Sequence, residues 1–169
     1  MRSGRFSLLH FLVLTLAAGC GGDSNEPNEP FPDASGVYSI NGGFDDIELS
    51  FTGTLEVSQS SRQSGALTGT LVVVDPDGNT LNGTLDNASV STVGVLGFTI
   101  ADPDGTWTFT GRLSGDSITH GRHTISDGSQ SFSGTWQGTI AHGPSSATGS
   151  SGYVTRSTSL SELAHSLAR

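Results

Sequence analysis

The chain has 169 residues, 33% of them hydrophobic, with one cysteine, no lysine, and a formal charge of −9 from 7 basic and 16 acidic side chains. That length suits a single domain with a modest core. The acidity disfavours nucleic-acid or anionic-membrane binding through charge, because such a surface repels phosphate, and a lone cysteine leaves neither an intrachain disulfide nor a thiolate metal site.

The chain opens Met-Arg-Ser-Gly-Arg, continues with an apolar stretch from Phe6 to Ala18, and reaches Leu16-Ala17-Ala18-Gly19-Cys20. A basic start, a stretch of about 13 residues apolar but for Ser7, His10 and Thr15, and small residues before a cut form a secretory signal. The stretch falls short of the roughly 20 residues a membrane-spanning helix needs. The last five residues resemble the lipobox of bacterial lipoproteins, with Ala17 where leucine is commonest. The resemblance implies diacylglyceryl transfer to Cys20 and cleavage before it, so residues 1–19 are expected to be removed and Cys20 to be lipidated. Gly21 stands where aspartate is an inner-membrane retention signal in many Gram-negative lipoproteins, so the same resemblance implies export and the outer membrane if the host has one. Beyond Cys20 the chain keeps five arginines against all 16 acids, a balance of −11.

Residues 20–34 carry a doubled Asn-Glu-Pro and three prolines. This composition predicts an extended, self-repelling linker, able to hold a domain up to about 40 Å from the lipid. Residues 142–169 form a Ser/Gly-rich tail. Within it Ser159 and Glu162 fit a capping box, and Leu160, Leu163, Ala164 and Leu167 share one helical face, which predicts a short terminal helix.

Residues 35–141 repeat one pattern, apolar-x-Gly-x-apolar: Phe51 to Leu55, Leu67 to Leu71, Leu81 to Leu85, Phe109 to Leu113, and Phe132 to Trp136. Apolar residues alternate with Thr, Ser, Asn or Arg, the mark of antiparallel strands with one face in a core and one in water. Asp75-Pro76-Asp77-Gly78, Asp102-Pro103-Asp104-Gly105, Ser126-Asp127-Gly128-Ser129 and Leu113-Ser114-Gly115-Asp116 read as turns. About eight strands follow, near residues 35–41, 46–58, 65–74, 79–87, 89–101, 105–114, 117–125 and 130–141. Sequential hairpins predict an all-β, up-and-down antiparallel barrel, which removes unpaired edges; a β-sandwich is the alternative. Gly53, Gly69, Gly83, Gly111 and Gly134 fall on the apolar face. There they let strands coil tightly and, as a by-product, thin the filling of the barrel.

Leu67-Thr68-Gly69-Thr70-Leu71, Gly97-Phe98-Thr99-Ile100 and Thr106-Trp107-Thr108-Phe109-Thr110-Gly111 resemble, in order and composition, strands of avidin-like barrels and more loosely of other calycins such as lipocalins. The resemblance implies the barrel architecture. It does not carry biotin, since the domain has only Trp107 and Trp136 and no match for the polar set around that ligand.

The chemistry-bearing inventory is thin. Absence of lysine excludes Schiff-base, Ser-Lys and phosphate-loop lysine mechanisms, and no Gly-x-Ser-x-Gly elbow is present. His120 and His123 lie three apart on a strand and so point to opposite faces, which argues against a shared metal. Each Asp-Pro-Asp-Gly segment offers two carboxylates and no later glutamate, so a plain turn is expected over a calcium loop. An enzyme would need a cleft that gathers groups such as His120 and Asp116. Trp107 and Trp136, with Phe98, Phe109 and Phe132 nearby in pattern, lie on the inward phase, either as packed core or as the lining of a ligand cavity. The expectation is therefore a lipid-anchored, non-enzymatic envelope module without a cofactor. It would play a structural or interaction role with an envelope protein or, alternatively, bind a small apolar ligand inside the barrel.

Overall fold

Alternation of Thr and Ser with large apolar residues suits a pleated surface that is wet on one side and oily on the other, and nine strands form among the described residues. The computed structural model describes residues 30–141 apart from Asp104. Its strands are β1 (Gly36–Phe44), β2 (Ser50–Gln59), β3 (Leu67–Val74), β4 (Thr80–Thr84), β5 (Asp86–Val90), β6 (Val95–Asp102), β7 (Gly105–Ser114), β8 (Ser117–Ser126) and β9 (Ser131–Ile140). Residues 1–29 and 142–169, on which the expected signal segment, the lipidated Cys20, most of the expected linker and the expected tail helix fall, lie outside the described residues.

All ladders are antiparallel, in the order β4-β3-β2-β1-β9-β8-β7-β6-β5. Each strand pairs with its neighbour in sequence, apart from β4 and β5, and β1 also pairs with β9, matching Tyr38 with Ile140 and Phe44 with Gly134. The result is the expected all-β meander, curled into a nearly closed barrel rather than a sandwich.

The seam is made by β4 and β5, which act as two halves of one bent strand. From the pair Thr70 and Thr84, four residues back along β3 reach Ala66, while five forward reach its bridge partner Ser89. The extra residue is a bulge, with Asn87 at φ 50°; asparagine tolerates the left-handed region better than most residues. The amides of Leu85 and Val90 donate to Gly69 O at 3.0 Å and Gly65 O at 2.7 Å, holding the bent strand to β3 on both sides of the bulge. Among the described residues no ladder joins β4 to β6. The side chain of Ile100 fills that gap and packs against the bare face of Gly83.

The predicted glycines face inward. A Cβ on Gly83 would strike Ile100; one on Gly111 would lie 2.7 Å from Ile118 Cγ2; one on Gly134 would strike Gly43 O and lie 2.7 Å from His123 Nε2. At Gly53 and Gly69 it would meet the neighbouring strand's carbonyl, Val72 O or Glu56 O. Close coiling is thus their role. The thinner filling expected as a by-product is taken up by neighbours, since Ile100, Ile118 and Trp136 occupy the space side chains would have used.

Two boundaries differ from the sequence reading. Residues 89–101 are not one strand: Ser91 O accepts the Gly94 amide at 2.9 Å, Gly94 sits at φ 80°, and the chain turns back into β6. Nor is the end of the linker free. Phe31 exchanges its amide and carbonyl with Arg62, at 2.9 Å to Arg62 O and 3.0 Å from Arg62 Nε, and packs on the core, while Ala34 is fully buried. Phe31 is the one aromatic of that segment, and burying its ring offsets the ordering of the few residues around it.

The meander gives the barrel two unlike ends. Phe31 enters and Ala141 leaves at one, together with the β2–β3, β5–β6 and β7–β8 turns; Ala141 N donates to Val37 O at 2.8 Å there. The β1–β2, β3–β4, β6–β7 and β8–β9 connections form the other. We call these the terminal end and the rim.

Candidate functional site

Inside the barrel, alternate residues of β7 bring Trp107 and Phe109 into the centre, both without exposed surface. Phe98 from β6 stacks on Phe109 with centroids 4.9 Å apart and an interplanar angle of 12°. Trp136 from β9 meets Phe109 edge-on at 5.5 Å. Phe51 from β2 meets Trp107 edge-on at 5.3 Å, and Phe44 from the end of β1 stacks on Trp107 at 6.3 Å. Of the five residues marked in the sequence, Trp107, Trp136, Phe98 and Phe109 thus form one cluster. Phe132 stands apart, half-buried opposite Ile125 toward the rim.

The polar centre of this cluster is His123 on β8, which is 2% exposed. Trp107 Nε1 donates to His123 Nδ1 at 3.1 Å, which places the imidazole proton on Nε2, 3.0 Å from Gly43 O, to which it donates. Phe44, Phe51, Trp107 and Phe109 enclose the ring with centroids 4.8 to 5.8 Å away. Loss of water pushes the His123 pKa below the ordinary value; the Gly43 bond and Asp45 oppose the shift, and Arg122 adds to it. The second tryptophan has its own partners: Trp136 Nε1 donates to Thr110 O at 2.8 Å and Arg122 O at 3.2 Å, tying β9 to β7 and β8. At the terminal end the Tyr38 hydroxyl donates to Ala34 O at 3.1 Å. Burial raises its pKa, with the carboxylates of Asp33 and Asp116 adding to the effect. Every buried side-chain N or O among the described residues has a partner.

The cavity against this cluster is small. Beneath Phe44 and Leu49 a cavity of about 10 Å³ is bounded by Phe51, Val73, Leu81 and Trp107. That is the space of about one water, against the 300 Å³ or more of a typical ligand site.

The remaining candidates separate. A bulge between Ile118 and Gly121 turns His120 outward at φ 51°, beside Thr119 Oγ1 at 3.1 Å, while His123 points inward. The two rings thus lie on opposite faces, as their spacing predicts. No group of three or more metal-ligating side chains exists among the described residues. In the first Asp-Pro-Asp-Gly turn, both Asp75 carboxylate oxygens are taken by Asn79, its amide at 2.8 Å and its Nδ2 at 2.7 Å. Outside, Asn41, His120, Thr135 and Gln137 edge an open hollow of about 500 Å³ over β1, β9 and β8, with Gln137 Nε2 donating to Asn41 Oδ1 at 3.2 Å.

Charge is unevenly placed. The rim carries Asp45, Asp46, Glu48, Asp75, Asp77, Asp102 and Asp127, with Arg122 nearby and paired to Asp45 at 3.0 Å. At the terminal end Arg62 and Arg112 stand against Asp33, Glu56 and Asp116, a balance of about −1. Among the described residues the exposed large hydrophobics are Val37, Val93 and Val95, and all lie at that end.

No known protein family matches the chain, and no curated protein is similar to it. Among solved structures, a de novo designed fluorescence-activating β-barrel is similar over 63% of this chain and 93% of its own, with 16% identity and a TM-score of 0.45.

Proposed function

We propose that the chain is a bacterial lipoprotein whose barrel is a non-enzymatic envelope module acting through its outer surface and ends. The observation carrying this reading is the packed interior: aromatic rings and His123 fill the centre, and the cavity beneath Phe44 and Leu49 holds about 10 Å³. A ligand carrier would need that space, and a catalyst would need converging titratable groups open to substrate. Anchoring is supported by the Leu16-Ala17-Ala18-Gly19-Cys20 segment, since two or more acyl chains on Cys20 give stable membrane attachment.

The test is acyl labelling in a bacterial host. The wild type should take up labelled palmitate and fractionate with membranes, whereas Cys20→Ser should do neither. A chain that is secreted without label would refute the anchor. For the interior, titration with apolar fluorogenic dyes should leave Trp107 and Trp136 emission unchanged; saturable quenching at micromolar dye would instead favour a small apolar ligand.

A further inference from the structure

The distribution of apolar and charged groups along the barrel axis has a direction. Val37, Val93 and Val95 are 39%, 65% and 46% exposed. Val93 caps the β5–β6 turn, Val95 follows it on the outer face opposite Arg112, and Val37 stands across the barrel at the start of β1. All three belong to the end from which the chain leads back toward Cys20, ten residues before Pro30. That end carries Asp33, Glu56 beside Val37, and Asp116 against Arg62 and Arg112, a balance of about −1, while the rim is lined with carboxylates.

An anionic bilayer repels the rim far more than the terminal end, and exposed valines shed water when they enter the headgroup region. Three valines alone bind weakly. A tether of a dozen or so residues raises the local concentration of the surface into a range where weak contacts are populated. We propose that the terminal end is a membrane-docking surface: the barrel rests on lipid headgroups through Val93, Val95 and Val37, with its acidic rim turned away. This rests on the lipid-anchor reading above, and the test is built so that the two can fail separately.

Chain 20–169, which retains every described residue, is coupled through Cys20 to maleimide lipid in vesicles of phosphatidylethanolamine and phosphatidylglycerol. Amide hydrogen exchange is then compared with the uncoupled protein. Exchange across residues 91–95 should slow about threefold or more, while residues 75–79 at the rim keep their rate. A double variant, Val93→Asp with Val95→Asp, should restore the free rate at 91–95 in the coupled state. Val93→Ser, a milder change at the most exposed position, should restore part of it. Unchanged exchange at 91–95, or slowing at 75–79 instead, overturns the proposal. Because the coupling supplies the anchor chemically, absence of cellular acylation would sink the lipoprotein reading without altering the vesicle result.

Discussion

Trp107 and His123 meet in the middle of the barrel through a single hydrogen bond, indole Nε1 to imidazole Nδ1, 3.1 Å long. The bond fixes the imidazole as the Nε2–H tautomer and satisfies two buried polar groups at once. A protonated imidazole would place a donor against the indole N–H, in a site ringed by aromatic faces. His123 is therefore held neutral by geometry as well as by loss of solvent.

A pH dependence follows. The folded-state pKa of His123 is lowered, so the unfolded chain takes up its proton first as pH falls. This contribution to stability is complete above the ordinary value of 6.5 and declines progressively below it. Urea unfolding from pH 8 to pH 5 should show a decreasing midpoint. In His123→Leu the decrease should be shallower, and stability at pH 8 lower by about 1–3 kcal/mol because Trp107 Nε1 is left unpaired. A wild-type curve as flat as the variant's would show that protonation is tolerated.

The inward glycines should be intolerant where an outward one is not. Gly134→Ala pushes a methyl group into Gly43 O and His123 Nε2 and should cost about 1–3 kcal/mol. Gly97 has only Phe109 O within range, at 3.8 Å. Gly97→Ala should be neutral or stabilise by about 0.5–1 kcal/mol. Thermal denaturation of the two variants gives the comparison, and equal shifts would mean that the coiling of β9 does not depend on Gly134.

Trp136→Phe keeps most of the ring volume but removes the donor shared by Thr110 O and Arg122 O. Two carbonyls lose this donor, Arg122 O keeping a 3.5 Å bond from Thr110 Oγ1, and a small void opens, so a loss of about 1–3 kcal/mol is expected. Hydrogen exchange should rise first around the bulge at Ile118–Gly121, where β8 and β9 change register. Uniform loosening of the barrel would instead mean that Trp136 acts by bulk alone.

Phe31→Ala should free the segment before β1. The ring is half-buried and its backbone is bonded to Arg62, so the cost is about 1–2 kcal/mol. Proteolytic cleavage before Ala34 should accelerate, and unchanged cleavage would show that the backbone bonds suffice to hold it.

Much of the barrel was legible because each strand carries its own alternation and most turns their own punctuation. Asp75-Pro76-Asp77-Gly78 ends one strand unambiguously. Ser91-Thr92-Val93-Gly94 does not: it interrupts a run of valines and threonine that reads as continuous strand, and Gly94 alone marks the reversal. The same limit hid His123. Counting by twos from Ile118 puts His120 inside and His123 outside, but one inserted residue between Ile118 and Gly121 reverses the phase, aligning His123 with Ile125. Bulges arise from how two strands fit each other, so a single strand's pattern does not reveal them. Whether the glycines left a hollow was equally hidden, because filling depends on the side chains opposite, such as Ile100 against Gly83.

Entry at Phe31 and exit beside Val37 on one side of the molecule mean that the barrel can be rewired without being rebuilt. Joining those two points by a short loop and cutting the chain in the Asp127–Gln130 turn would produce a permuted protein with the same ladders but with its two ends on the opposite pole. A tether fixed to those new ends would draw the carboxylates toward whatever surface held it, while the valines pointed outward. Orientation is therefore a property of where the backbone is opened, separable from the fold that carries it.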